Sequence, residues 1–348
     1  MKVLIIDDSV VFRILLSNLI RGIDGVDVCG TASDGEEGLK AVENHHPDVV
    51  LLDVEMPKMT GLDVIKEFNR KGIKVSVIMC SAFTVAGAGV TVKALELGAH
   101  DFITKPEGRD KNESLQMLKD QLVPKLTQLK AGYDIFNASR PDVPVLGRDK
   151  KVRSSQRKIS AEILGIGIST GGPKALATLL PELPATFRLP IVIVQHMPKL
   201  FLESLAVSLN EKCKLHVKVA QDGEVISAGN VYLAPGEKQM AVEIVDGLNV
   251  IALSDDPPEN FCKPAADYLF RSLAKNFRSK TIGLVMTGMG SDGAKGLLEM
   301  KNAGGCTIAQ DKETSTIYGM PREAYKKGAA DVVLPLHEIG GYLQKITF

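Results

Sequence analysis

Neither sign of charge prevails in this chain: 42 Lys and Arg stand against 42 Asp and Glu. A net charge of zero gives no overall attraction to nucleic acid or to an anionic membrane surface. Cysteine is sparse. Cys29, Cys80, Cys213, Cys262 and Cys306 are odd in number, scattered and nowhere in C-x-x-C spacing, which argues against a disulfide framework or a zinc site and suits a reducing compartment. No apolar run approaches the roughly 20 residues that cross a bilayer, so membrane insertion is not expected. Met1-Lys-Val-Leu-Ile-Ile-Asp7 reads directly as a strand, so a signal peptide is not expected. A cytoplasmic globular protein is expected, and 348 residues are long enough for two domains.

Against these absences, Ile163-Leu-Gly-Ile-Gly-Ile-Ser169-Thr-Gly171-Gly172-Pro-Lys stands out. The apolar run predicts a buried strand that breaks at a hydroxyl and glycines, and 175–180 has helical character. Such a junction exposes Ser169 at the strand's carboxyl end, beside the N–H groups of a helix start. That placement suits a nucleophile whose attack creates an oxyanion. Three readings fit the stretch. Gly167-Ile-Ser169-Thr-Gly171 matches G-x-S-x-G. Gly165-x-Gly167-x-x-x-Gly171 is close to a dinucleotide-binding loop. A turn that merely lets a helix pack near a sheet would look the same.

Residues 1–121 alternate strand and helix signals five times, with apolar runs at 3–6, 26–29, 49–52, 75–79 and 101–103. This predicts a parallel sheet covered on both faces, with ligands at the carboxyl ends of its strands. Those ends carry Asp7-Asp8, Asp53, Ser81 and Lys105-Pro106. Three converging carboxylates are unfavourable without a cation, and an oxygen-only donor set with room for water suits Mg²⁺. A lysine and a hydroxyl aimed at the same place complement a phosphoryl group. The implied chemistry is phosphoryl transfer to Asp53, assisted by Mg²⁺, Lys105 and Ser81. On these residues, 1–121 resembles a two-component receiver domain. The resemblance implies that a histidine kinase supplies the phosphate, that Asp7, Asp8 and Asp53 hold the metal, and that Phe102 occupies the family's aromatic switch position.

Residues 122–160 read as a linker. A helical tail at 122–129 gives way to Gly132, Asn137, Pro141, Pro144 and Gly147, then to a basic run of Arg148, Lys150, Lys151, Arg153, Arg157 and Lys158. Without interleaved aromatics or a helix–turn–helix pattern, the run predicts a solvated tether rather than a nucleic-acid contact.

From 161 the strand and helix signals resume. Pro190-Ile-Val-Ile-Val194 leads into Gln195-His196-Met-Pro198, and Ile282-Gly-Leu-Val-Met286 leads into Thr287-Gly-Met-Gly-Ser-Asp292-Gly293. Ser169, His196 and Asp292 thus each follow an apolar strand, and in a parallel sheet those ends share one edge. A serine needs an imidazole to take its proton, and the imidazole needs a carboxylate to fix its tautomer. A hydrogen-bonded chain of the three is therefore expected, with backbone N–H groups at Thr170, Gly171 and Met289 as oxyanion donors. The order Ser, His, Asp is not that of α/β-hydrolases. The dinucleotide reading weakens, because the second strand delivers Gln195 and His196 where a ribose-binding acid belongs.

Together, Gly-Ile-Ser169-Thr-Gly-Gly, Gln-His196-Met-Pro, Thr-Gly-Met-Gly-Ser-Asp292-Gly and Tyr318-Gly-Met-Pro321 resemble the catalytic domain of chemotaxis protein-glutamate methylesterases, the CheB family. The receiver in front extends the resemblance over nearly the whole chain. It implies a Ser169–His196–Asp292 triad without a cofactor, γ-glutamyl methyl esters on chemoreceptors as substrate, methanol as product and deamidation of certain receptor glutamines. Two residues depart from the family pattern: Ile168 stands where Ala is frequent, and Ala265 where Ser is frequent. The expectation is an α/β chain of two doubly wound parallel-sheet domains. These are a flavodoxin-like receiver (1–121), a linker (122–160) and a Rossmann-like methylesterase domain (161–348), acting as a monomer. The rival is a receiver joined to a non-catalytic output domain that binds nucleotide, nucleic acid or protein.

Overall fold

A computed structural model describes residues 1–106, 110–137 and 160–347, in two compact units. The basic run at 148–158 lies outside the described residues. Among these, no helix is long and apolar enough to cross a membrane.

The first unit alternates β1 (Lys2–Ile6), α1 (Val10–Ile20), β2 (Asp27–Ala32), α2 (Gly35–His45), β3 (Val49–Asp53), α3 (Gly61–Lys71), β4 (Ser76–Ser81), α4 (Val85–Glu96), β5 (Asp101–Thr104) and α5 (Lys111–Asn137). The strands form one parallel sheet in the order β2-β1-β3-β4-β5. Four helix starts are written locally: Ser9, Asp34, Thr60 and Thr84 each accept an N–H of the first turn. The strand order reverses between β1 and β3, so Asp7 and Asp53 flank the switch point at which such sheets bind ligands. The boundary expected at 121 falls inside α5. Leu118, Leu122 and Leu126 are fully buried in one cluster with Val3, Ile5 and Leu51, so apolar residues at helical spacing continue this core beyond 121.

The second unit comprises β6 (Ile163–Ile168), α6 (Gly172–Leu179), β7 (Ile191–Gln195), α7 (Lys199–Asn210), β8 (His216–Val219), β9 (Asn230–Leu233), β10 (Gln239–Val245), β11 (Leu248–Ser254), α8 (Ala266–Phe277), β12 (Thr281–Val285), α9 (Ala294–Asn302), β13 (Cys306–Gln310), α10 (Met320–Lys326), β14 (Val332–Leu334) and α11 (Leu336–Thr347). Seven parallel strands follow the order β14-β13-β12-β6-β7-β9-β8. Strand β6 is central, with β7 on one side and β12 on the other, which brings the three candidate loops to one sheet edge. An antiparallel hairpin, β10–β11, stands apart from this sheet, and its Met240, Val242 and Ile251 join the core around α8.

The glycines of β6 serve that packing. A Cβ at Gly165 would lie 2.5 Å from Leu273 Cδ1, and one at Gly167 2.7 Å from Ala266 Cβ. The Gly-x-Gly element of the Ser169 stretch therefore admits α8 against the sheet, as the plainest of the three sequence readings required. Leu122→Ala is expected to destabilise the first unit by about 2–5 kcal/mol in chemical denaturation of the full chain. A loss near zero would mean that the helix beyond 121 is not part of its core.

Candidate active site

The acidic pocket of the first unit is assembled as the sequence predicted. Asp7 and Asp53 are buried and Asp8 is exposed, and one ligand oxygen from each lies within 4.8 Å of the others. Lys105 Nζ is 2.8 Å from Asp7 Oδ2 and 2.7 Å from Asp53 Oδ2. Burial pushes the Asp53 carboxyl up to about 6; Lys105 opposes the shift and the charge of Asp7 adds to it. One ammonium among three carboxylates leaves excess negative charge, and the hard oxygen donors fit Mg²⁺ with water completing its shell. Ser81 ends β4 as predicted, but its hydroxyl accepts from Thr91 Oγ1 on α4 (2.8 Å) and donates to the Ala82 carbonyl (3.1 Å), not to Asp53. Phe102 is buried.

In the second unit Ser169 follows β6 and His196 follows β7. Ile168 pairs with Gln195, and His196 N–H donates to the Ile168 carbonyl at 3.1 Å. The two residues therefore leave neighbouring strands, about 4.8 Å apart. The β12 loop closes over the serine: Ser169 N–H donates to Thr287 O at 3.0 Å. A Cβ at Gly288 would fall 2.7 Å from Ser169 Cβ, so only glycine permits this approach. The Tyr318-Gly-Met-Pro stretch pins the same loop, Gly319 and Met320 N–H both donating to Gly288 O. Thr170 and Gly171 lie at the start of α6, where Gly171 takes a left-handed φ of 77°. Met289 follows Gly288.

His196 Nε2 is 2.7 Å from Asp292 Oδ2. Asp292 is buried and surrounded by donors. Oδ2 also accepts from Ala266 N–H (2.6 Å), and Oδ1 accepts from Asp267 N–H (3.1 Å) and Asn260 Nδ2 (2.9 Å). Ala266 and Asp267 open α8, whose own N-cap position offers no side-chain acceptor. Asp292 thus caps α8 from another loop, where the helix dipole favours its charge. Asp267 returns the arrangement, its Oδ1 accepting Gly296 N–H in the first turn of α9 at 2.6 Å. Asn260 joins the two carboxylates by donating also to Asp267 Oδ2 at 3.0 Å. Asn260 and Phe261 both have left-handed backbones, with φ of 52° and 63°, a strain of about 1–3 kcal/mol each that the surrounding loop holds in place. His196, Cys262 and Asp292 offer ligand atoms within 4.8 Å of one another, and four donors point at the Asp292 carboxylate.

These contacts set the charges. Burial alone would raise the Asp292 carboxyl, but His196 and the two helix N–H groups hold it below the usual range. Burial alone would lower the His196 ring; Asp292, and then the Cys262 thiol, outweigh it and hold the ring up at about 9. The expected three-member chain is made only in part. Imidazole and carboxylate are joined, whereas among the described residues no hydrogen bond links Ser169 Oγ to His196. The ring turns Nε2 to Asp292, so Nδ1 is the nitrogen left for a serine on the neighbouring strand, and in this structure it faces Cys262 Sγ at 3.7 Å. Such links are often long without substrate. Asn260, Cys262 and Asp267 were missed in the sequence because they lie on a loop and helix between the motif strands, with no strand end to mark them.

Residues 164–343 match the family model described as CheB methylesterase, and 3–118 match the response regulator receiver domain. The chain belongs to the CheB methylesterase family. It is 40% identical to a protein-glutamate methylesterase/protein-glutamine glutaminase of Desulfotalea psychrophila, covering 97% of this chain and 96% of that one. A protein of the same name from Pyrococcus abyssi is 42% identical over 97% and 91%. The crystal structure of the Thermotoga maritima CheB methylesterase catalytic domain superposes with a TM-score of 0.53 at 42% identity, covering 54% of this chain and all of that one.

An NMR titration is expected to place the His196 ring near 9 in the intact protein and clearly lower in Asp292→Asn. A ring that titrates at the ordinary imidazole value in both proteins would contradict this electrostatic account.

Proposed function

We propose that the second unit is a serine hydrolase that removes methyl groups from γ-glutamyl esters of chemoreceptors and deamidates receptor glutamines, under control of phosphorylation at Asp53. The observation that carries the reading is the 2.7 Å contact between His196 and the helix-capping Asp292, on the sheet edge that bears Ser169. In this reading the Ser169 hydroxyl gives its proton to His196 Nδ1 while Oγ attacks the ester carbonyl. Asp292 holds the imidazolium, and the N–H groups of Thr170, Gly171 and Met289 take the oxyanion. His196 returns the proton to the departing methoxide, releasing methanol; water then repeats the sequence against the acyl-enzyme and frees the glutamate. A glutamine follows the same path with ammonia as leaving group. All three catalytic groups come from one chain, so a monomer suffices. The base must be neutral, so a ring held at about 9 makes the rate rise with pH up to that region.

In the first unit, Asp53 receives the phosphoryl group from a histidine kinase in the cytoplasm. Asp7, Asp8 and Asp53 would hold Mg²⁺, which would supply positive charge to offset the phosphoryl oxygens. Lys105 already touches Asp53 and would pair with the new phosphoryl oxygens. Ser81, now bonded to Thr91 of α4, would turn to them and carry the change into that helix.

The test is methanol release from methylated receptor, with and without acetyl phosphate and Mg²⁺. The phosphodonor is expected to raise the rate severalfold in the intact protein and not in Asp53→Asn. Ser169→Ala is expected to lose about 1,000-fold or more while remaining folded. Near-normal turnover in Ser169→Ala would remove the nucleophile, and an equal response in Asp53→Asn would remove the control site.

A further inference from the structure

The nitrogen of His196 that Asp292 does not use faces a thiol. Cys262 Sγ is 3.7 Å from Nδ1 and 3.4 Å from the Asn260 carbonyl oxygen, half-buried and next to the fully exposed Phe261. Sulfur, imidazole and carboxylate therefore stand in sequence. That arrangement activates a thiol, because the ring can take the S–H proton while the carboxylate stabilises the resulting cation. Nothing in ester hydrolysis calls for sulfur at this place. Elsewhere burial pushes the thiols of Cys29, Cys80 and Cys306 up, Cys306 to about 11, which keeps them protonated and inert.

We propose that Cys262 is a modification site for low-molecular-weight disulfides and that its capping shuts off hydrolysis at Ser169. With the ring in its neutral form, as ester hydrolysis also requires, the Cys262 proton moves to His196 Nδ1 as Sγ attacks one sulfur of the disulfide. The old S–S bond breaks, and the departing thiolate takes the proton back from His196. One disulfide is exchanged for another: Cys262 is oxidised, half of the reagent is reduced to a thiol, and no further reactant is needed. The attached group then occupies the space in front of Nδ1 that the serine and the ester must share. A reducing thiol reverses the exchange. The shut-off rests on the methylesterase reading above; the reactivity of Cys262 does not.

Two measurements on the full-length protein separate these parts. With iodoacetamide, Cys262 is expected to alkylate about tenfold faster than any other cysteine, and His196→Ala to slow it about tenfold. With glutathione disulfide, peptide mapping is expected to find the adduct at Cys262, with methanol release falling at least about tenfold and returning with dithiothreitol. Cys262→Ser, compared with its own untreated rate, is expected to be insensitive. Alkylation no faster than at the other cysteines, or unchanged in His196→Ala, overturns the modification site. An adduct at Cys262 with methanol release intact, or inhibition that persists in Cys262→Ser, overturns the shut-off. Absence of methanol from the untreated protein would defeat the methylesterase reading instead, and the alkylation rates would still decide the reactivity of Cys262.

Discussion

The second unit depends on two helices capping each other. Asp292, just ahead of α9, accepts the first N–H groups of α8, and Asp267, in the first turn of α8, accepts Gly296 N–H of α9. Each cap contributes about 1 kcal/mol of ordinary stability, but its larger consequence is positional. A buried carboxylate with four donors has one low-energy orientation, and His196 Nε2 is one of the four. The imidazole is aimed by the same contacts that hold α8 and α9 to each other. Asn260, bridging both carboxylates from a strained loop, makes the arrangement a single network in which removal of one member leaves others unsatisfied.

The first unit uses buried carboxylates in the opposite way. Asp292 is saturated by donors, His196 first and then the helix N–H groups, and kept low, whereas Asp53 is under-compensated and pushed up to about 6. Lys105 divides one positive charge between Asp53 and Asp7. A saturated carboxylate makes a rigid support. An under-compensated one favours cations. The two sites share an amino-acid type and differ in how many donors the fold directs at it.

Most of this was legible in the sequence because parallel sheets place function at strand ends. Asp7, Asp53, Ser169, His196 and Asp292 each follow an apolar run, and those runs with the helical patterns between them sufficed to bring them to the strand ends. What could not be read was contributed by segments without that marker. The Asn260–Cys262 loop and the first turn of α8 reach the site through tertiary contacts that no local pattern encodes. The boundary at 121 also failed to mark an end, since α5 continues to Asn137 with Leu122 and Leu126 in the core. The direction of the imidazole was likewise invisible: types and spacing named the three residues, but only packing decides that Nε2 meets Asp292 and Nδ1 faces Cys262.

The central claim is that serine, imidazole and helix-capping carboxylate act as one unit. The most direct measurement is methanol release by Ser169→Ala, Asp292→Asn and the double variant on methylated receptor. Residues acting together lose their effect together, so the double variant should be no slower than the slower single variant. If the two losses multiply, Asp292 works independently of Ser169, and the linkage argued from the geometry is wrong.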